Sequence, residues 1–320
     1  MAKKNDEPDV STPGYAHSVM SPKWQMMETL LGGTEAMQAA GQLYLPQYEE
    51  ESEKRYATRL RMTTLLNMTK FTSSTLVGRV FKNPIQFNTD VPVEIRGEKD
   101  TKTGETKTEG LAEDINGQGD HIQVVSYRWF ESGFQKGLSH MLIDMPPMPE
   151  RADGLKPTKA DDKRKPYWTP VAPENLLFAH SEIVNGKEKL MMLRILEQST
   201  QLVGYNEVSV TQIRVLQPGS WEVWRYLEDK KGNKDWYLHD TGPMNVRDAD
   251  GQLYIPFVTF YTKRKGLMLS DVPLEDLAHL NIEHWQSKSD QRSILTAARF
   301  PMLAVSGATG EDDVTGKKIN

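Results

Sequence analysis

The chain shows helix-period patterning near both ends and alternating, strand-like patterning between them, and its longest unbroken helical stretch lies close to the end. Residues 272–299, V-P-L-E-D-L-A-H-L-N-I-E-H-W-Q-S-K-S-D-Q-R-S-I-L-T-A-A-R, hold no glycine, and Pro301 follows. Pro273 suits a first helical turn and Ser270 and Asp271 are candidate N-caps, so the pattern predicts one helix running to Pro301. At about 1.5 Å per residue it makes a rod of roughly 40 Å. On a helical wheel Leu274, Leu277, Ala278, Trp285 and Leu295 share one side and are expected to pack. Asp276, Glu283 and Asp290 recur every seventh residue on the other. That acidic stripe has two readings: a solvated outer face, or acids turned toward a passage lined by several copies of the helix.

Upstream, residues 1–20 are charged and turn-rich, with Pro8, Pro13 and Gly14, and read as a mobile arm. Ser21-Pro22-Lys23 is expected to start a helix over 24–31, and a second helix covers 35–40 between glycines. Residues 49–81 read as another long helical region. Tyr56, Leu60, Phe71 and Val77 lie on one side of it and Met62, Leu65 and Leu76 on another, which predicts burial on two sides. Residues 96–119 are polar and glycine-punctuated, a loop or hairpin. A helix from about 121 to Gly133 or Gly137 precedes a strand over 138–145, which Pro146-Pro147 ends. A second polar insertion covers 150–165.

The next hundred residues read mostly as strand: 167–170, 176–178, 189–197, then 208–216 and 221–227 as a hairpin around Pro218-Gly219. Lys230 to Asn233 turn the chain into 236–238, and 255–261 is expected to end the same sheet. A helical front, an antiparallel meander and one long helix make an α+β class. Residues 301–305 resemble a strand, and 307–320 are glycine and charge, a disordered tail or the start of a further part.

Composition narrows the function. With 320 residues and 38% hydrophobic content the chain can bury one large core or two smaller ones. No apolar run approaches the ~18 residues that cross a bilayer, and the lysines at the N-terminus precede no apolar stretch, so a membrane role is not expected. Cysteine is absent, which excludes disulfides, thiolate nucleophiles and Cys-bound zinc. A formal charge of -5 argues against gripping DNA by its phosphates, though not against letting DNA pass.

Catalytic patterns fail on spacing. His279, Glu283 and His284 put two histidines at i,i+5, about 140° apart on the wheel, where helical zinc sites need i,i+4. The G-A-T-G-E-D-D-V-T-G-K-K run misses a phosphate loop: five residues separate Gly310 from Gly316 and Lys318 stands where Ser or Thr should bind magnesium. No Gly-x-Ser-x-Gly elbow occurs. Asp144, at a strand end before two prolines, is the one carboxylate placed as a catalytic group would be, with a turn cap as its plainer role. No catalytic residue, metal or cofactor is expected.

Six blocks in order carry a resemblance: G-G-T-E-A-M-Q-A-A-G-Q-L-Y-L-P (32–46), Y-A-T-R-L (56–60), L-V-G-R-V-F-K-N-P (76–84), G-L-S-H-M-L-I-D-M-P (137–146), I-P-F-V-T-F-Y (255–261) and D-L-A-H-L-N-I-E-H-W-Q-S-K-S-D-Q (276–291). Together they resemble the portal proteins of tailed bacteriophages. The resemblance implies a ring of about twelve subunits at one capsid vertex. Double-stranded DNA would be packaged and ejected through it, and the terminase large subunit, head-completion adaptor and major capsid proteins would bind it. It places the protein in the virion, and in the host cytoplasm during assembly. It also implies a flexible arm (1–20), a wing (21–271), a stem helix (272–300) and the start of a clip or a disordered tail (301–320). Asp276, Glu283 and Asp290 become channel-facing candidates, and Leu274, Leu277, Trp285 and Leu295 stem-packing ones. The rest of the clip, a returning stem helix, a tunnel loop and a crown, which that family carries, have no counterpart in these 320 residues. Two other classes stay open: a cytoplasmic enzyme with a pocket near Asp144, and a capsid adaptor or scaffold component without a channel.

Overall fold

A computed structural model describes residues 9–99, 106–146, 164–228 and 234–299. It is 39% helical and 32% strand, with every strand among the described residues pairing antiparallel, so the chain is of α+β class. The helices are α1 (Tyr15–Leu31), α2 (Gly33–Ala40), α3 (Glu53–Met62), α4 (Met68–Val80), α5 (Val93–Arg96), α6 (Ile122–Lys136) and α7 (Glu275–Ala298). The strands are β1 (Glu98–Lys99), β2 (Thr106–Thr108), β3 (Leu138–Asp144), β4 (Tyr167–Val171), β5 (Leu176–Val184), β6 (Lys187–Val203), β7 (Asn206–Gln217), β8 (Gly219–Glu228), β9 (Lys234–Met244), β10 (Phe257–Tyr261), β11 (Arg264–Gly266) and β12 (Leu269–Ser270). The chain divides into two compact units. One comprises residues 1–31 and 67–278, the other 32–66 and 279–320.

The larger unit is built in layers around β3. Its run L-S-H-M-L-I-D is buried along most of its length, as a strand covered on both faces must be. Met141 joins Ile115, Ile122 and Val125 under α6. On the other face Leu142 packs with Val171, Leu193, Ile195, Leu216 and Phe257 between two sheets. Strand order is β10-β3-β4 in one sheet and β5-β6-β7-β8-β9 in the other. Residues 255–261 were expected to end the meander; instead β10 leaves it and pairs with β3, Thr259 opposite His140. A strand apolar on both faces needs a partner at each edge, and β4 supplies only one.

Beyond its core the five-stranded sheet narrows. β5 accompanies β6 only as far as Ile195 and β8 accompanies β7 only from Gln212, while β6 and β7 stay paired to Val203↔Asn206. Residues 196–203 and 206–211 therefore form a two-stranded ribbon, about 20 Å long at 3.4 Å per residue. Leu202 and Tyr205 stand exposed at its tip.

Three helical expectations need correction. The stretch expected as a mobile arm is ordered from residue 9 on. Arg194 donates to the carbonyls of Asp9 and Val10 (3.0 and 2.8 Å), the amide of Gly14 donates to Leu177 O (2.7 Å), and α1 begins at Tyr15. Pro22 falls inside α1, at a penalty of about 3 kcal/mol. Burial of Met20, Trp24, Met27 and Leu30 along one face, each worth roughly 1.5–3 kcal/mol, exceeds it. Residues 1–8 lie outside the described residues.

The single helical region expected over 49–81 is two helices. Thr63 takes extended backbone and turns its hydroxyl back to Arg59 O (2.7 Å), and Asn67 caps α4 by accepting from the amide of Lys70 (2.9 Å). Nor is α4 covered on two sides: it buries Thr69, Ser73 and Val77, while Met68, Phe71 and Val80 are exposed. Third, α7 starts at Glu275 and not at Pro273. Ser270 and Asp271 do not cap it. The Ser270 hydroxyl exchanges hydrogen bonds with the Lys263 backbone, and the Asp271 carboxylate pairs with Lys263 and Lys265.

The polar segment 96–119 contains the β1–β2 ladder and then the buried Ala112 and Ile115. Its residues 100–105, residues 150–163 of the second insertion, the 230–233 turn and the expected clip or tail at 301–320 lie outside the described residues.

In the smaller unit, side chains are tied to loop carbonyls. Gln38 Nε2 donates to Arg61 O and Thr63 O (both 3.0 Å), Tyr56 Oη to Leu45 O (3.0 Å) and Gln286 Nε2 to Tyr44 O (2.9 Å).

Gly137 ends α6 in the left-handed region, at φ 87°, and an added Cβ would meet Asp271 O at 2.7 Å. Gly119 has the same φ with open space around it. Gly119→Ala is therefore expected to lower the urea-denaturation free energy by about 1 kcal/mol, the backbone term alone. Gly137→Ala should cost about 1–3 kcal/mol more.

Candidate functional site

α7 buries Ala278, Asn281, Trp285 and Ser289, a line at spacings of three and four residues that Leu274, just before the helix, extends. Two members are polar and both are satisfied: Asn281 Nδ2 donates to Leu66 O (2.9 Å) and Ser289 Oγ accepts from Arg59 Nη1 (3.3 Å). The apolar wheel missed them because it counted only hydrocarbon. Of the expected packing residues, Leu274 and Trp285 are buried and Leu277 is half-buried, while Leu295 is 54% exposed. It lies beyond Ser289, the last of the buried positions among the described residues of the helix.

The opposite face is uncovered throughout. Asp276, Leu280, Glu283, Ser287, Asp290, Gln291 and Ile294 are all exposed, Leu280 at 60% and Ile294 at 66%. The three acids are not equivalent. Asp276 and Glu283 make no ion pair among the described residues, whereas the Asp290 carboxylate accepts from the Tyr48 hydroxyl. The tyrosine pKa is raised, first by burial and then by that carboxylate. His279 and His284 are exposed on either side of the stripe.

Within the smaller unit a groove of about 910 Å³ runs between α3 and the end of α7, with Lys54, Arg55 and Arg292 on its walls. Arg59, only 8% exposed, forms its floor. Its Nε and Nη2 reach the Glu51 carboxylate at 2.9 and 2.7 Å, Nη2 also donates to Pro46 O (2.7 Å), and the Tyr48 ring lies 4.2 Å from the guanidinium carbon. Those hydrogen bonds hold the Glu51 pKa below its ordinary value. With Nε, Nη1 and Nη2 all donating, Arg59 is a tie and not a reactive group. Sequence reasoning passed over it because an arginine in a charged helix reads as surface, and Glu51, eight residues away, is not a helical neighbour.

Asp144, the candidate carboxylate of the larger unit, is also spoken for. It accepts from the amide of Met145 and from Arg214 Nη1, both at 2.8 Å, and Arg214 Nε lies 2.9 Å from Glu197. One arginine thus links β3, β6 and β7. Burial, and secondarily the Asp144 charge, raises the pKa of the adjacent Tyr167. Each oxygen of this carboxylate thus accepts one hydrogen bond, the arrangement of an ion-paired residue that also caps the turn after β3.

A family model described as a domain of unknown function (DUF4055) matches residues 273–320. The match covers α7 and the residues that follow it, and its description assigns no activity. No curated protein matches the chain.

Removing one partner of the buried Arg59–Glu51 pair leaves an uncompensated charge, so Glu51→Ala is expected to cost about 3–5 kcal/mol in denaturant titration. Because the folded-state pKa of Glu51 is depressed from 4.5, the pair's contribution is present above pH 4.5 and is lost as pH falls through the folded value. Stability measured from pH 6 to pH 3 should fall less steeply in Glu51→Ala than in the unsubstituted chain.

Proposed function

We propose that this chain is a portal-like subunit: a non-enzymatic protein whose copies close into a ring around a passage for double-stranded DNA at a capsid vertex. The observation that carries this reading is the outward face of α7. A rod of about 36 Å presents Asp276, Leu280, Glu283, Asp290 and Ile294 to solvent along its length. Acids alone would suit a solvated face, but exposed Leu280, offset to one flank of Asp276 and Glu283 on the helical wheel, suits a contact with a neighbouring chain beside the acids. The order of the six sequence blocks supports the same reading, and α7 lies within the sixth and beyond it.

In such a ring each subunit offers two different surfaces to its neighbours, so contacts are head-to-tail and closure fixes the number. Asp276 and Glu283, free of partners among the described residues, would set levels of negative charge along the bore. Phosphates would be repelled from every wall and find no binding minimum, and salt would screen the effect beyond about 8–10 Å. Terminase and head-completion proteins would dock outside the bore. Under this proposal Asp144, paired with Arg214 and accepting from the amide of Met145, is structural. An adaptor without a channel differs from it only in lacking the passage.

Native mass spectrometry and negative-stain images of the chain are expected to show closed rings of about twelve copies. A protomer at every concentration would overturn the proposal. Leu280→Asp should abolish rings yet change protomer stability by about 0.5 kcal/mol or less, as an exposed substitution does. Asp276→Lys with Glu283→Lys should keep rings and slow DNA passage, more strongly at low salt. Passage unchanged by that pair would remove the acids from the mechanism.

A further inference from the structure

Three features of the larger unit converge on one cavity of about 240 Å³, bounded by the start of α1, β3, β5 and the β11–β12 turn. The first is His140. It is 1% exposed and stacked on Phe257 at 5.1 Å, its Nδ1 lies 2.9 Å from Thr259 Oγ1, and its Nε2 has no hydrogen-bond partner. Buried polar atoms are normally paired, and one that is not needs an explanation. The second is Met268, which holds φ 54°. A long side chain in the left-handed region is strained, and such strain gathers at binding sites. Its conformation is held: the amide donates to Tyr261 Oη (3.1 Å), the Tyr261 hydroxyl donates to the sulfur (3.6 Å), and Thr259 Oγ1 lies 3.7 Å from the same sulfur. The third is the lining itself, which includes Trp24, Phe178, Leu138 and Leu176 and no Asp, Glu, Lys or Arg.

Each feature restricts the ligand. A wall without Asp, Glu, Lys or Arg offers an ion no fixed counter-charge. Burial holds the His140 ring neutral, its pKa pushed down to about 3, so the histidine cannot serve as a counter-charge. Thr259 has one hydroxyl proton, and whether it goes to His140 Nδ1 or to the Met268 sulfur decides which tautomer the ring takes. In one case Nε2 accepts, and in the other it donates. A hydroxyl on the ligand satisfies either. Volume sets the size: an apolar cavity of about 150 Å³ holds benzene, so 240 Å³ admits one substituted six-membered ring. The sulfur of Met268 and the rings of Trp24 and Phe178 favour an aromatic body. Tyr15 and His180, both exposed, line the same cavity and mark its way in.

We propose that this cavity is a binding site for a small neutral aromatic alcohol of the phenol class, held by a hydrogen bond between its hydroxyl and His140 Nε2. The site lies wholly within the larger unit, so it stands or falls independently of the ring.

The test is titration of the full chain with phenol and with toluene, followed by ligand-observed NMR and by the imidazole ¹⁵N resonances. Phenol should bind saturably at one site, shift the His140 Nε2 resonance, and bind about tenfold more tightly than toluene, the worth of one hydrogen bond. Ala179→Phe, which fills the cavity from β5, should remove binding; Ala16→Leu, filling it from α1, replaces that variant if it does not fold. Absence of saturable phenol binding, equal affinity for toluene, an unmoved His140 resonance or unchanged binding in the filled variant would each overturn the proposal. A water molecule alone on Nε2 would give the first of these results.

Discussion

Residues 138–144 have no free side. β3 is paired at one edge by β4 and at the other by β10, covered on one face by α6 and on the other by the five-stranded sheet. Everything else in the larger unit is placed by that enclosure. Gly137 turns α6 directly into β3, and its carbonyl accepts from the amide and hydroxyl of Thr262 just past β10, which pins the two ends of the small sheet together. Gly133 allows Phe260 to lie against α6, where a Cβ would come within 2.4 Å of the ring. Arg214 crosses from the second sheet to Asp144 at the far end of the same strand. A strand so enclosed keeps its one imidazole out of bulk water, and His140 Nε2 finds no partner among the described residues.

How far the sequence could be read depended on whether a signal was local. The long α7, the α6–β3 junction to within the choice of Gly133 or Gly137, and the β7–β8 hairpin at Pro218-Gly219 were legible because period, cap and turn residues sit together in the chain. What escaped was decided at a distance. β10 pairs with a strand more than a hundred residues earlier, and nothing in I-P-F-V-T-F-Y distinguishes that partner from its neighbour in the meander. The helix from Tyr15 was hidden by Pro22, whose local penalty is real but smaller than the burial it permits. Ser270 and Asp271 had cap chemistry, but lysines and a backbone eight residues or fewer away claimed it first.

The candidate sites divide along the same line. The exposed face of α7 follows from seven-residue spacing and was visible as a pattern, although spacing could not show that Tyr48 engages one of its three acids and leaves two open. Arg59 and Asn281 were invisible, because a buried polar residue announces itself only through partners that tertiary structure supplies. The cavity at His140 belongs to the same class: histidine, threonine and methionine at positions 140, 259 and 268 share no motif, and only the β3–β10 register brings them together.

The ribbon at the tip of β6 and β7 has one more consequence. Past Ile195 and before Gln212 its two outer edges carry backbone amides and carbonyls that neither β5 nor β8 engages, and between residues 198 and 211 Glu207 is the only charge. Two strands alone are marginal in water, and uncharged open edges are templates on which further strands can grow. The hairpin tip is therefore a place where the isolated chain is open to strand addition, and it carries little charge of its own to oppose it.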